Sequence, residues 1–350
     1  MFKTILLHCI HFINKERTIS GIYHLIQGKR SAQSLQDAKV FRLECYFGIY
    51  PDLKRTTFQE VMEDIAKEGL ISLAEFAEIL PAGKQHLKAA SPEKTNYFTG
   101  LSHHRHVATF EKRLRLLIQT LSKSKLNDLS FIPIVEEISI QQWVRSIYHL
   151  QSSARMLDHL FKELYELLNE VEPVEAGLFT GRLSGGDRIG KTRAQLAEQF
   201  GVSEQDVDIY IKYVFFFLFH QARKKKEKYP VLHICQKGLE ESRLITQSAQ
   251  ITYQWLDRGY SLDKISNLRK LKESTIQDHI VEAALTIEDF SIDSFVQIKD
   301  QKEILSAMEK LGTNKLKQLF AELEGSYSYF QLRLVLAKNQ HTIVRDESHG

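Results

Sequence analysis

A mainly α-helical chain is predicted, with several helix-turn-helix or winged-helix units joined by amphipathic helices. Three observations carry this expectation. Only 6 prolines and 17 glycines occur in 350 residues, so few positions interrupt a helix. Most apolar stretches recur at three-to-four spacing instead of alternating, which is the helical period. Stretches that combine a small residue, a turn-permissive residue and a helix-capping residue recur along the chain, and two crossing helices need that combination.

Hydrophobic residues make up 43% and charged residues 26%, a balance that can bury a core and lies away from disorder. The length favours two or three domains. The segments expected are a winged-helix-like unit over 1–90, a helical scaffold over 101–171, a central helix-turn-helix unit over 182–230, and a C-terminal helix-turn-helix with terminal helices over 242–338. A net charge of +3 argues against a uniformly basic phosphate-binding domain, so any nucleic-acid contact has to come from local patches. Cys9, Cys45 and Cys235 lie far apart in no paired spacing, so no disulfide framework, metal centre or cofactor is expected. The apolar start contains His8, Cys9 and His11 and has no small-residue cleavage site, which makes residues 1–13 a first helix and not a signal peptide. The apolar run 210–219 is roughly half the length of a membrane span and reads as a buried core helix. A cytoplasmic protein without a membrane partner is expected.

In the first segment, Gly28 ends a helix over 19–26 and Ser31 caps a second over 32–47. A turn around Pro51 leads to a third helix over 57–67, and 68–73 supplies a strand of a small wing. Pro81, Gly83, Pro92 and Gly100 mark a linker over 81–102. Amphipathic helices follow over 110–122 and 140–168. Gly177, Gly181, Gly185, Gly186 and Gly190 suggest a glycine-rich loop over 172–190. Residues 291–338 read as further helices, and the tail 339–350 is expected to fray.

Three stretches carry the helix-turn-helix pattern. The sharpest covers 195–210, where Ala197 is the small contact residue, Gly201 the turn and Ser203 the cap, with Leu196, Val202 and Val207 between. The basic run Arg223, Lys224, Lys225 and Lys226 ends the same unit, where cations suit the helix dipole and stand ready for DNA. The second stretch covers 252–279: Gly259 ends one helix, Ser261 caps the next, Ser266 is the small residue, and Ser274 or Thr275 starts a recognition helix. Its expected contacts are Arg269, Lys270 and Lys272 for the backbone, with Thr275, Gln277 and His279 at the recognition helix. Lys270 stands where glycine is commoner. Residues 248–289 hold five Lys or Arg against seven Asp or Glu, so the unit as a whole is not a strong phosphate binder. In the third stretch Lys29 and Arg30 open a helix with Gln33 and Gln36 one turn on, a pattern that suits a phosphate and a base edge. Residues 1–60 hold nine Lys or Arg against five Asp or Glu.

Gly185 through Thr192 match the nucleotide-binding loop pattern letter for letter. That pattern needs a buried strand before it to aim the backbone N–H groups at a phosphate, and the residues before it read as mixed and acidic. His103, His104 and His106 are read as a solvated basic stretch in a polar linker, since neighbouring histidines cannot all face one ion. No nucleophile, paired-acid or metal-triad pattern is present, and a non-enzymatic protein is expected.

The stretch 252–279, with Gly-Tyr-Ser-Leu-Asp-Lys-Ile-Ser from Gly259 and Leu-Lys-Glu-Ser-Thr-Ile-Gln-Asp-His from Leu271, resembles the helix-turn-helix at the C-terminal ends of some RecQ helicases. The whole architecture resembles the YpbB family of stand-alone proteins, whose genes often neighbour a RecQ-type helicase gene. The resemblance implies DNA and a RecQ-type helicase as partners, and an accessory role in DNA repair or recombination. Helicase motor motifs are missing from this chain, so the motor has to belong to the partner. The rival readings are a sequence-specific transcription regulator, with 140–168 as its dimerisation helix, and a nucleotide hydrolase using the glycine loop.

Overall fold

The computed structural model describes residues 1–90, 95–128, 130–150, 153–239, 245–287, 289–312 and 315–339. Pro92, the beginning of the expected C-terminal segment at 242–244, and the tail from 340 lie outside the described residues. Eighteen α-helices and one two-stranded hairpin are found among those described. In chain order the helices begin with α1 (Phe2–Ile13), α2 (Ile19–Gln27), α3 (Ala32–Val40) and α4 (Arg55–Lys67). Strands β1 (Ile71–Leu73) and β2 (Ala77–Ile79) follow, then α5 (Pro81–Ala89), α6 (Gly100–Lys125), α7 (Ile138–Leu150), α8 (Ser153–Leu168) and α9 (Pro173–Arg182). The second half holds α10 (Arg193–Phe200), α11 (Glu204–Lys224), α12 (Pro230–Ile234), α13 (Gln247–Asp257), α14 (Leu262–Arg269), α15 (Glu273–Thr286), α16 (Ile298–Leu311), α17 (Leu316–Glu322) and α18 (Tyr329–Lys338). None of these helices is long and apolar enough to cross a membrane.

The chain folds into two compact units built from interleaved segments. The first comprises Met1–Leu6, Cys45–Asp52 and His86–Glu241; the second comprises Leu7–Glu44, Leu53–Gln85 and Ser242–Gly350. This division differs from the four consecutive segments expected, because residues 1–90 are shared between the units. The reason is visible in the packing: α3 lies against α15, so the winged-helix segment and the C-terminal helix-turn-helix bury their apolar faces together.

In the first unit α11 is the central helix, with α6, α9, α10 and α12 against it. Its residues Val214 and Phe216 are fully buried, and Phe215, Phe217 and Phe219 nearly so. A helix apolar all round has to be enclosed. Edge-to-face ring pairs fix it: Phe98–Phe216 at 5.4 Å, Phe110–Phe219 at 5.6 Å and Phe179–Phe215 at 5.2 Å. At the C-terminal end of α10, Gly201 adopts φ +64° and Ser203 accepts a hydrogen bond from the Asp206 N–H at 3.0 Å, which is the turn the sequence predicts. A Cβ at Gly201 would meet open space, so the demand there is purely conformational. Gly201→Val is expected to cost about 1–2 kcal/mol through left-handed backbone strain, read as a lower melting temperature. An unchanged melt would mean that the turn relaxes to negative φ at no cost.

Several expected boundaries move. The helix over 32–47 ends at Val40, after which Arg42 takes φ +54° and a single 3₁₀ turn covers Glu44–Tyr46. The linker over 81–102 contains α5, which starts on Pro81, where proline lacks an N–H that a helix start leaves unused. Helix α6 starts at Gly100, ten residues before the apolar stripe suggests, so His103, His104 and His106 are helical and His106 is buried. The stretch 140–168 is helical over its described residues, as α7 and α8, both packed on α6. The glycine-rich stretch is mostly helix α9. A Cβ at Gly177 would sit 2.6 Å from the Phe200 ring and one at Gly181 would sit 2.8 Å from Leu196, so these glycines let α9 and α10 approach closely.

The second unit follows a winged-helix order in its first part: α2, α3 and α4, then the antiparallel hairpin pairing Ile71 with Ile79 and Leu73 with Ala77. Its core centres on α15, which packs on α13, α14, α18 and α3. Ile276, Ile280, Val281, Ala283 and Leu285 of α15 are buried, and each large aliphatic side chain there contributes about 1.5–3 kcal/mol.

Candidate nucleic-acid interface

The α14–α15 turn is built by short-range bonds. Ser261 caps α14 by accepting from the Lys264 N–H, and the Ser266 hydroxyl donates to the Leu271 carbonyl at 2.6 Å. Lys270 takes φ +52° in the turn, a conformation that glycine adopts without penalty. Helix α15 begins at Glu273, with Lys272 at its N-cap making no side-chain capping hydrogen bond. The expected start at Ser274 or Thr275 is corrected to that position. Lys270, Lys272, Glu273 and Ser274 are exposed there, and Thr275 and Gln277 are half-buried. Gln277 donates to the Glu273 carboxylate at 2.9 Å, and Asp278 accepts from Arg333 at 2.7 Å. The beginning of α15 is therefore the face this motif offers, since its second half is enclosed.

Arg269 does not belong to that face. Its guanidinium donates to the Ser248 carbonyl at 2.7 Å, to the Ser248 hydroxyl at 3.0 Å and to the Thr252 hydroxyl, tying α14 back to α13. Burial pulls its pKa down. His279 shares the cluster: its Nδ1 lies 2.9 Å from Thr252 Oγ1 and 3.3 Å from Arg269 Nη1. Burial and then the Arg269 charge lower its pKa, so it sits neutral between helices instead of pointing outward. Sequence reading could not see this, because Ser248 and Thr252 lie one turn apart on a helix whose facing is set by tertiary packing.

The N-terminal candidates divide in the same way. Lys29 and Gln33 are exposed, although Gln33 donates to Asp37 at 2.7 Å. Gln36 is 2% exposed and the Arg30 side chain 8% exposed, with its Nη2 3.6 Å from the Glu282 carboxylate. Neither can meet a base or a phosphate as placed, because α3 turns that face onto α15. Asp37 is buried beside Arg17 at 2.8 Å; burial raises its pKa, opposed by the arginine.

In the first unit Arg223, Lys224 and Lys226 are exposed at the end of α11, and Lys225 is half-buried over the Tyr229 ring. Here the structure adds residues that the sequence reading separated. Arg223 Nη1 lies 3.1 Å from His103 Nε2, and the Thr99 hydroxyl bridges His103 and His220 at 3.0 and 2.8 Å. Burial, then Arg223, lowers the His220 pKa; burial, then Lys226 and Lys237, lowers that of His233. The first turns of α6 and the last turn of α11 thus make one basic end. In the second unit, Arg258 lies over Trp255 at 5.3 Å and Lys264 over Tyr260 at 4.4 Å. The alternation of aromatic and basic residues in 255–264 was the signal for them.

The glycine loop before α10 uses its amides internally. Gly185 N–H donates to the Arg188 carbonyl, Gly186 to Ser122 Oγ, Gly190 to Ser184 Oγ, Lys191 to the Gly181 carbonyl and Thr192 to Gln195 Oε1. Lys191 Nζ reaches Gln199, and helix α9 stands where a nucleotide-binding loop has its strand. These donors are committed to the turn and to the helices around it.

Residues 248–336 match a family model described as a helix-turn-helix domain, which runs from α13 into α18. The chain is also 30% identical over 346 residues to Protein YpbB of Bacillus subtilis (strain 168), covering 96% of this chain and 97% of that protein. The chain belongs to the YpbB family. Membership extends over both compact units and is not confined to the C-terminal domain. No solved structure matches.

Proposed function

We propose that this member of the YpbB family is a non-enzymatic DNA-binding protein of the cytoplasm that assists a RecQ-type helicase in DNA repair or recombination. The observation that carries the reading is the beginning of α15. A helix whose N-cap side chain makes no capping bond presents donors and a positive dipole end, and Lys270 and Lys272 flank it at the surface. A phosphate at that place completes the cap and lays the first turn of α15 along a groove, as recognition helices do. The bonding of the glycine-loop amides weighs against nucleotide hydrolysis. The helicase partner is supported by the likeness of residues 252–279 to the module that some RecQ helicases carry.

The test is affinity for forked, duplex and single-stranded DNA across a salt series. Phosphate contacts make the logarithm of affinity fall linearly with the logarithm of salt concentration. The variant Lys270→Ala/Lys272→Ala is expected to lower the slope by about two and to melt like the parent. An unchanged slope would remove α15 from the interface. Loss of co-purification with a RecQ-type helicase in the same variant, at unchanged DNA affinity, would reassign the face to the protein partner.

A further inference from the structure

Helix α8 carries two aromatic side chains that the core does not use. Phe161 is 66% and Tyr165 64% exposed, and their rings stack at 6.0 Å with an interplanar angle of 23°. The opposite face of α8, with Met156, Leu160 and Leu167, is buried. Two large rings held in water cost free energy unless something covers them. Spacing of four residues places them one above the other on the helix, so they form a single slab.

The charges around the slab favour a polyanion. The neighbouring stripe of α8 holds Arg155, His159 and Lys162, all exposed. The two acids nearest the rings are matched by lysines of the same unit: Asp158 faces Lys125 at 3.9 Å, and Glu166 pairs with Lys228 while accepting from the Tyr229 hydroxyl at 3.1 Å. Glu163 is turned inward, accepting the N–H groups of Val231 and Leu232 at 2.9 Å each, which fastens α12 to α8. Through Lys228 the slab adjoins the basic end of α11, where Arg223, Lys224 and Lys226 are exposed.

We infer that Phe161 and Tyr165 are a stacking platform for unpaired bases of single-stranded DNA, with Arg155, Lys162 and the Lys224–Lys226 end of α11 receiving the phosphates. Stacked, exposed rings beside cations suit a single strand, whose bases offer their faces; in a duplex those faces are covered. The inference rests on the DNA-binding reading but adds a second site, in the other compact unit, with a different nucleic-acid form. It gives an accessory protein a means to hold the strand that unwinding releases.

The experiment uses the full chain and an oligothymidylate of about 16 nucleotides, beside a blunt duplex. Phe161→Ala/Tyr165→Ala is expected to lose roughly tenfold to a hundredfold in single-strand affinity at constant salt slope, with duplex affinity and melting unchanged. Phe161→Trp/Tyr165→Trp is expected to keep the affinity, and its added tryptophan fluorescence should be quenched by the oligonucleotide. Unchanged single-strand affinity in the alanine variant, or equal loss on duplex, overturns the platform while leaving the α15 reading in place. A parent that binds neither DNA form overturns both. Loss of helicase co-purification with unaltered oligothymidylate binding assigns the slab to a protein partner and likewise overturns it.

Discussion

Glu282→Ala is expected to destabilise the second unit by about 3–5 kcal/mol, the usual consequence of removing one partner from a buried ion pair. Glu282 projects from α15 with its side chain 7% exposed. It accepts the Thr246 N–H at 2.5 Å and the Thr246 hydroxyl at 3.0 Å, and Thr246 in turn caps α13. The Arg30 guanidinium, equally enclosed, lies 3.6 Å away at the beginning of α3. One carboxylate thus joins the N-terminal and C-terminal parts of the unit. Its loss removes the counter-charge beside the Arg30 guanidinium and the acceptor of the Thr246 N–H. Glu282→Gln keeps an acceptor for Thr246 and should cost visibly less. Urea unfolding followed with hydrogen exchange in α3 and α13 reads the effect; a cost below about 1 kcal/mol would show that water compensates Arg30. Arg30→Ala should then weaken DNA binding only as far as it unfolds the unit.

That reversal for Arg30 shows which part of the molecule was legible in its sequence. Local chemistry was readable: Gly28, Gly201 and Gly259 take positive φ, and Ser31, Ser203 and Ser261 cap their helices as the spacing of turn and capping residues requires. The buried run over 210–219 was readable because a stretch apolar on every face has only one environment available. The facing of charged residues was not. Lys272 and Arg269 sit three residues apart with the same charge and propensity, yet one stands at an open helix end and the other is bonded to Ser248 and Thr252. What separates them is α13, and no local pattern encodes the rotation of α13 about its axis. Glycine misled for a related reason. At 177 and 181 it serves close helix contact, and only the four-residue spacing, which keeps both on one face, distinguishes that use from a loop. The pairing of His103 with Arg223 joins residues 120 positions apart, beyond any sequence window.

The second large effect lies in the first unit and separates scaffold from interface on one helix. Sequence makes α11 the second helix of the central motif with a buried core run over 210–219, and the structure encloses it and leaves its ends at the surface. Its first turn carries Glu204 and Asp206, and Asp208 follows, bonded to Arg193 at 2.8 Å, while Asp206 accepts the Phe2 N–H at 2.7 Å. Such a turn repels phosphate. Its last turn is cationic and rests on Phe219, which is 1% exposed and packs against Phe110 and His103, each at 5.6 Å. Phe219→Ala is expected to cost about 3–5 kcal/mol, from lost burial plus the cavity it leaves. DNA binding by this unit should fall only in proportion to the unfolded fraction. Lys224→Ala/Lys226→Ala should do the opposite, leaving urea unfolding as in the parent while flattening the salt dependence of single-strand binding by about one unit per lost phosphate contact. Denaturant titration and salt-series affinities on the same two proteins separate the cases. If Phe219→Ala were tolerated, α11 would not be the centre of its unit. If the lysine pair changed stability and not the slope, the basic end would be a helix terminus and nothing more, because cations at the negative end of a dipole stabilise a helix without any ligand.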